Sequence, residues 1–161
     1  MSVFFATMAW SVLSLAEPLP VGPSSTGPLS YPSPMSAVEA EFGLEPWDTS
    51  DWGTGWCEFR RIPIAEADTI RGMFVDNQLV RVDVREGERP TTRGVLIGTA
   101  QADAIAAYDG NVTISPHRYV DGSYLVARDG DHAVVMETDG QMVTSFRAGL
   151  VPYVEWVEGC S

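Results

Sequence analysis

The residue types that most often perform nucleophilic or acid–base catalysis are scarce in this chain. It has two histidines, His117 in a Ser-Pro-His-Arg-Tyr segment and His132 directly after the Asp-Gly-Asp turn at 129–131. A serine hydrolase would also need a nucleophile on a tight turn, and the chain has no Gly-x-Ser-x-Gly segment. We therefore expect a protein that is not an enzyme and assign no catalytic residue. His117 is expected to lie in a loop beside Tyr119, and His132 to begin a strand.

The acidic residues do not have the spacing of a metal site. A calcium-binding loop alternates oxygen ligands, contains a glycine and ends in a glutamate, whereas Asp129 and Asp131 flank a glycine in a short turn. Aspartate is common in turns because its side chain hydrogen-bonds the neighbouring backbone. A zinc site would need further histidines or cysteines at ligand spacing. We predict no metal site and no cofactor.

Three tryptophans lie within ten residues of each other, among glycine, threonine and aspartate. Aromatic side chains on a loop are typical anchors for contact with a protein or a sugar. The sequence therefore predicts a binding loop whose contact residues are Trp47, Asp48, Asp51, Trp52 and Trp56. The alternative is that the tryptophans fold back to cover a small core, and the sequence leaves both readings open.

The chain has two cysteines, Cys57 directly after Trp56 and Cys160 far along the sequence. An even number of cysteines in an exported chain is typical of a disulfide. Closing a loop of roughly a hundred residues would stabilise the fold by about 4–5 kcal/mol in the chain-entropy model. We predict a Cys57–Cys160 disulfide that ties a C-terminal strand to the middle of a sheet.

The first sixteen residues indicate export. Residues 3–16 are uncharged and apolar and end in Ser-Leu-Ala, and Glu17 and Pro18 follow at once. This pattern is typical of a signal peptide and is too short to span a bilayer core of ~30 Å. The segment lacks the usual Lys or Arg, and the alternative is a buried N-terminal helix. We predict a signal peptide over 1–16, a mature protein without a membrane span, and a periplasmic or secreted location.

The charge of the chain argues against a nucleic-acid partner. The sequence has 22 Asp and Glu against ten basic residues, which are all Arg, for a formal net charge of −12. Such a surface repels phosphate backbones, and no basic stripe is present. The hydrophobic fraction of 45% is ordinary for a globular protein, and 161 residues fit one domain.

Two short helices are predicted after a Pro-rich extended segment at 17–34, since proline interrupts helices. The first begins at Met35-Ser36, with Glu39 three residues after Ser36 as in a capping box, and ends at Gly43. The second begins at Thr99, has Asp103 in its first turn, and ends at Asp109-Gly110.

Two β-hairpins are predicted at corresponding positions after the helices. Their turns are Asp76-Asn77 and Asp139-Gly140, flanked by alternating apolar residues. The predicted strands are 56–60, 69–75, 78–84, 112–115, 124–128, 132–138, 141–147 and 153–157. The helices are about 64 residues apart and the hairpins about 63, which indicates an internal repeat. We predict one α+β domain over 35–161 made of two tandem α-β-β-β units, 35–94 and 95–161.

The alternation within the predicted strands sets which face of the sheet the helices cover. In 78–84 we expect Val80, Val82 and Val84 to face the helices, and Leu79, Arg81 and Asp83 to point the other way. The short helices would then pack on one face of the antiparallel sheet. The opposite face would be open to solvent and to a partner.

The helix starts Met35-Ser36-x-x-Glu39 and Gly98-Thr99-x-x-x-Asp103, each followed by Gly and three strands, resemble the tandem repeat of the β-lactamase inhibitor protein family. They also resemble the single repeat of the small outer-membrane barrel-assembly lipoprotein. The stretch Val143–Cys160 resembles the ending of exported bacterial proteins. This resemblance implies a fold and a habit of binding other proteins, and it implies no catalytic residues.

Taken together, these features predict an exported, non-enzymatic protein that acts as a protein-binding or inhibitor-like module on another envelope or secreted protein. The alternative is a ligand-binding or structural envelope protein. A small hydrolase with an unrecognised site is the least favoured interpretation.

Overall fold

The computed structural model describes residues 17–47, 55–65 and 68–161. The predicted signal peptide at 1–16 lies outside the described residues. Residues 17–34 are extended and contain β1 (Ser25–Thr26), β2 (Leu29–Ser30) and β3 (Ser33–Pro34). Val21, Leu29 and Tyr31 are almost fully buried in the main core. The Pro-rich segment is therefore an integral part of the folded domain.

Two helices interrupt the strands, as predicted, but neither begins with the predicted cap. Helix α1 (Met35–Phe42) ends at Gly43, whose φ of 72° and N–H bond to Glu39 close the last turn. Helix α2 (Gln101–Ala107) follows Ala100, and neither helix has a side-chain N-cap bond. The prediction of a Ser36 capping box and a Thr99 cap was wrong. The Thr99 hydroxyl instead accepts the N–H of Leu96, at 2.9 Å, in the turn before the helix.

The other strands form one antiparallel sheet. They are β4 (Glu45–Pro46), β5 (Cys57–Ala65), β6 (Asp68–Val75), β7 (Gln78–Val84), β8 (Thr113–Pro116), β9 (Ser123–Asp129), β10 (His132–Thr138) and β11 (Val143–Leu150). Their order is β4-β5-β6-β7-β11-β10-β9-β8, and β3 pairs with the first residues of β7. The mixed α+β class with an antiparallel sheet is confirmed.

Both predicted hairpin turns are present. Asp76 and Asn77 have φ values of 48° and 60°, and two consecutive residues with positive φ match the right-handed twist of the flanking strands. At the second turn Gly140 has a φ of 90°, and the N–H groups of Gln141 and Met142 both donate to the Asp139 carboxylate. These two bonds lower the pKa of Asp139.

A β-bulge shifts the register of β7 against β6. Two residues of β7 therefore lie on the opposite face of the sheet from the one predicted. Phe74 pairs with Leu79 while Met73 pairs with Arg81, so that Val80 is an extra residue. Leu79 therefore joins the core under the helices, whereas Val80 packs on the opposite face beside Met73. The prediction was wrong for Leu79 and Val80 and held for the rest of the strand.

The face of the sheet opposite the helices is covered in part by residues 151–161. The predicted strand at 153–157 is absent; Tyr153–Glu155 is instead a single 3₁₀ turn after Pro152. Val154 of this turn is fully buried against Ala133 and Val135. The expectation of an open second face was therefore wrong over this region.

Candidate functional site

The predicted binding loop is only partly described. Asp48, Asp51 and Trp52 lie outside the described residues. The Trp47 ring is half-buried, with the guanidinium carbons of Arg61 and Arg71 at 4.8 and 5.1 Å from its centroid. Trp56, in contrast, is 50% exposed. Of the predicted contact residues, Trp56 is the one that the structure places at the site described below.

The predicted disulfide is present and brings two tryptophans together. Cys57 and Cys160 are bonded, with their Cα atoms 5.4 Å apart and a separation of 103 positions in the sequence. The bond joins the start of β5 to the C-terminal segment 151–161, which is not a strand. Trp56 precedes Cys57 and Trp156 lies shortly before Cys160, and their ring centroids are 6.2 Å apart in an edge-on contact.

One cleft borders this pair of rings, and a second cleft adjoins the first. The first, the Trp cleft, has a volume of about 460 Å³ and is lined by Trp56, Arg118, Glu155, Trp156, Val157, Glu158, Gly159, Cys160 and Ser161. The second, the His cleft, has a volume of about 520 Å³ and is lined by Ser115, Pro116, His117, Arg118, Tyr124, Val126, Val135, Arg147, Glu155 and Val157. Arg118, Glu155 and Val157 belong to both clefts, so the two form one groove along the C-terminal segment.

The ring and both ring nitrogens of His117 contact other residues within the His cleft. Its ring stacks on Tyr124 at a centroid distance of 4.4 Å, and Tyr119 packs edge-on at 6.2 Å, so the predicted contact with Tyr119 is confirmed. Nδ1 accepts the backbone N–H of Tyr119 at 3.1 Å, and therefore Nε2 carries the proton that it shares with Glu137, 3.3 Å away. Both ring nitrogens have partners, which leaves no free nitrogen to act as a general base.

Buried arginines fix the C-terminal segment to the sheet. Arg81 donates to the carbonyl oxygens of Trp156 and Tyr153, at 2.7 and 3.1 Å. Arg147 donates through Nε to the carbonyl oxygen of Val154 at 2.6 Å. Three segment carbonyls thus receive charge-assisted bonds, which are stronger than neutral ones.

A carboxylate balances each of these two arginines. Asp83 forms a bidentate pair with Arg81, at 2.5 and 2.8 Å, and Glu137 pairs with Arg147. Burial by itself would raise the pKa of Asp83, but the Arg81 charge and its hydrogen bonds, with smaller effects of Arg147 and Arg71, hold that pKa below its usual value. For Glu137 burial again opposes ionisation, and Arg147 outweighs it and lowers the pKa. Both carboxylates are therefore ionised at neutral pH.

Two of the three charged side chains that line the Trp cleft, Arg118 and Glu158, have no such partner in the described ranges. The third, Glu155, pairs with Arg128. Within the part of the chain that the structure describes, neither the Arg118 guanidinium nor the Glu158 carboxylate forms an ion pair or side-chain hydrogen bond. Among the described residues, Arg118 and Glu158 are therefore the cation and the anion of the Trp cleft that remain unpaired.

His132 begins β10, as predicted, and has a structural contact. Its Nε2 lies 2.8 Å from the carbonyl oxygen of Tyr31, which ties the N-terminal segment to the sheet. The Tyr31 hydroxyl is buried and bonded to Thr26, and burial raises its pKa. His132 lines neither cleft.

Trp156 and Arg118 line the Trp cleft but were not among the predicted site residues. Trp156 was predicted to lie in a strand. A signal for its role was present, because Trp156 lies close to Cys160 and Trp56 lies next to Cys57. The predicted disulfide would therefore bring both rings together. No local signal distinguishes Arg118 from the other arginines. Its position follows only from the fold.

Among residues 17–47, 55–65 and 68–161 the structure shows no group of three or more His, Cys, Asp or Glu side chains placed to hold a metal ion. Within the same residues no helix is long and apolar enough to cross a membrane. Comparisons with protein-family models, with curated proteins and with solved structures found no match to this chain.

Proposed function

We propose that this chain is an exported, non-enzymatic protein-binding or inhibitor-like module whose partner is another envelope or secreted protein. The observation that carries the proposal is a set of three exposed apolar side chains, one on the edge strand β8 and two in the turn that follows it. Ile114, Tyr119 and Val120 are 52%, 61% and 53% exposed. Several large exposed apolar side chains at one edge of a sheet favour a contact site, whereas scattered single ones are normal.

The strand that carries Ile114 supports the same proposal. Among the described strands β8 pairs only with β9, so one side of β8 presents unpaired backbone groups. An extended peptide of a partner adds to such an edge through main-chain hydrogen bonds. Neighbouring pockets then select side chains, and the His cleft begins directly beside this strand at Ser115 and Pro116.

Export is part of the proposal and is supported by the disulfide. Structural disulfides persist in oxidising compartments and are rare in the cytosol. The Cys57–Cys160 bond is consistent with a periplasmic or secreted protein that has lost a signal peptide over 1–16. A mature N-terminus near Glu17 in the extracytoplasmic fraction would support this location, and an intact Met1 in the cytosol would contradict it.

We further propose that the two halves are tandem copies of one α-β-β-β unit, as in the resemblance to the β-lactamase inhibitor protein. The strand order supports this proposal. Helix α1 precedes the meander β5-β6-β7, α2 precedes β9-β10-β11, and the last strands of the two meanders, β7 and β11, pair with each other. Strands β4 and β8 are additions at the two ends of the sheet.

Binding at the β8 edge is tested with a triple variant, Ile114→Ser/Tyr119→Ser/Val120→Ser. The oxidised protein is immobilised and exposed to envelope and secreted proteins of the host, and the partner it retains is then purified and titrated. We expect the triple variant to lose at least about tenfold in affinity. Leu96→Ser/Met142→Ser, which alters exposed apolar residues elsewhere, is the matched control and should bind as the wild type does. Equal binding by the triple variant, or no partner for the wild type, would contradict the proposal.

A further inference from the structure

We propose that the Trp cleft binds a short neutral oligosaccharide built of pyranose rings. The Trp cleft has no lining residue from β8 and would add a second binding activity to the protein contact proposed above. The inference rests on three properties of the cleft, namely its aromatic surface, its balanced polar groups and its rigid frame.

The aromatic surface has the chemistry that a pyranose ring requires. One face of a pyranose carries C–H groups with a partial positive charge, and an aromatic face carries a negative quadrupole, so the two stack. Trp56 is 50% exposed at the mouth of the cleft. Trp156 stands edge-on to it at 6.2 Å, and Tyr153 packs against Trp156 at 4.9 Å. Half of the Trp56 surface is therefore accessible to a ligand, and Trp156 forms a side wall beside it.

The polar groups suit hydroxyl groups better than an ion. Arg118 supplies planar N–H donors and Glu158 supplies acceptors, and neither is used by another described residue. A sugar hydroxyl both donates and accepts, so that neighbouring hydroxyls of one ring satisfy both groups. Arg118 and Glu158 carry opposite charges, and Glu155, the third charged side chain of the lining, is paired with Arg128, so the lining favours neither an anion nor a cation.

The backbone around the cleft is already fixed in the absence of a ligand. The disulfide fixes the residues that follow Trp56 and Trp156 in the chain. Arg81 bonds the carbonyl oxygen of Trp156 itself, at 2.7 Å. A site that is already ordered loses less conformational entropy when it binds.

The size of the groove fits a short chain of sugars. The Trp cleft of about 460 Å³ lies within the range of about 300–1,000 Å³ that small-ligand sites occupy. It continues past Arg118 and Glu155 into the His cleft of about 520 Å³. A ring stacked on Trp56 would thus have room for a further ring toward Tyr124.

The test is a panel of immobilised neutral and acidic pyranose oligosaccharides probed with the folded, oxidised protein. Any hit is then titrated in solution by the change in tryptophan fluorescence. We expect saturable binding to a neutral member, weakened about tenfold or more by Trp56→Ala and by Arg118→Gln. Arg93→Gln removes an exposed arginine that pairs with Asp109 away from the groove, and this matched control should bind as the wild type does.

Three results would overturn the proposal. They are no saturable binding to any member of the panel, binding restricted to acidic sugars, and binding that neither Trp56→Ala nor Arg118→Gln weakens. Thermal unfolding of each variant identifies a loss that comes from misfolding, because Trp56 and Arg118 are both exposed and their variants should unfold near the wild-type temperature. The triple variant at the β8 edge should keep its sugar binding, so the two proposals fail independently.

Discussion

At the scale of single residues, the charges that matter most for stability are the buried ones. Asp83 and Arg81 have side chains that are 3% and 2% exposed, and Asp83 lies directly opposite Arg71 and Arg147 on the neighbouring strands. Removing one member of a buried pair leaves an uncompensated charge, which costs far more than the pair contributes as a whole. These residues hold the C-terminal segment, and the groove depends on them.

Asp83→Asn is therefore expected to destabilise the protein by about 3–5 kcal/mol, since Arg81 would remain charged and buried. Urea unfolding at pH 7 measures this change. Glu58→Gln is the control, because its pair with Arg60 has both side chains about one-third exposed, and we expect a loss of no more than about 1 kcal/mol. Equal losses in the two variants would show that Asp83 does not have the assigned role.

The lowered pKa of Glu137 predicts a pH dependence of stability. Its folded-state pKa lies below the unfolded value of about 4.3. The stabilisation is therefore complete above that value and is lost as the pH falls through the folded-state pKa. As the pH falls below about 4.5, we expect the free energy of unfolding to fall more steeply in wild type than in Glu137→Gln. Parallel slopes in denaturant titrations would refute this assignment.

At the scale of elements, the two strand meanders join where β7 pairs with β11. Gly149 of β11 lies opposite Arg81, and a Cβ atom placed on it would come within 2.1 Å of the Val80 carbonyl oxygen. The bulge at Val80 brings this carbonyl toward β11. No side chain fits there without moving the backbone of one strand.

We expect Gly149→Ala to lose at least about 3 kcal/mol in the free energy of unfolding, because the two strands would be forced apart. Gly130→Ala serves as the comparison. Gly130 has positive φ but open space around it, and should lose only about 1–2 kcal/mol from backbone strain. Denaturant unfolding of both variants measures the difference. If Gly149→Ala lowers the free energy of unfolding no more than Gly130→Ala does, the two strands can separate without cost.

How far the sequence predicts these elements depends on whether the determining contacts are local. The Asp76-Asn77 turn and the Gly43 helix end follow from backbone preferences of the residues themselves, and both are present. The bulge at Val80 depends on pairing with another strand. The stretch after Pro152 alternates like a strand, but its carbonyls bond to two arginines that are distant in sequence. Alternation within one segment contains no information about such partners.

At the scale of the whole molecule, two terminal segments cover opposite faces of one sheet. The N-terminal segment adds Val21, Leu29 and Tyr31 to the core on the helix side. The C-terminal segment adds Val154 to the other side, where the disulfide holds it. The sequence predicted the disulfide and placed Trp56 beside it. It did not predict the groove, because the Trp cleft forms only when the C-terminal segment lies on the sheet.

We infer that residues 151–161 form a fixed layer, held by the disulfide, on which the binding groove is built. Amide hydrogen exchange of the oxidised protein tests this claim directly, compared with Cys57→Ser/Cys160→Ser. In the oxidised protein we expect slow exchange at Val151, which bonds to Asp131 at 2.8 Å, and at Glu155, which bonds to Pro152 at 2.9 Å. The double variant should lose this protection, together with about 4–5 kcal/mol of stability. Rapid exchange throughout 151–161 in the oxidised protein would contradict the account.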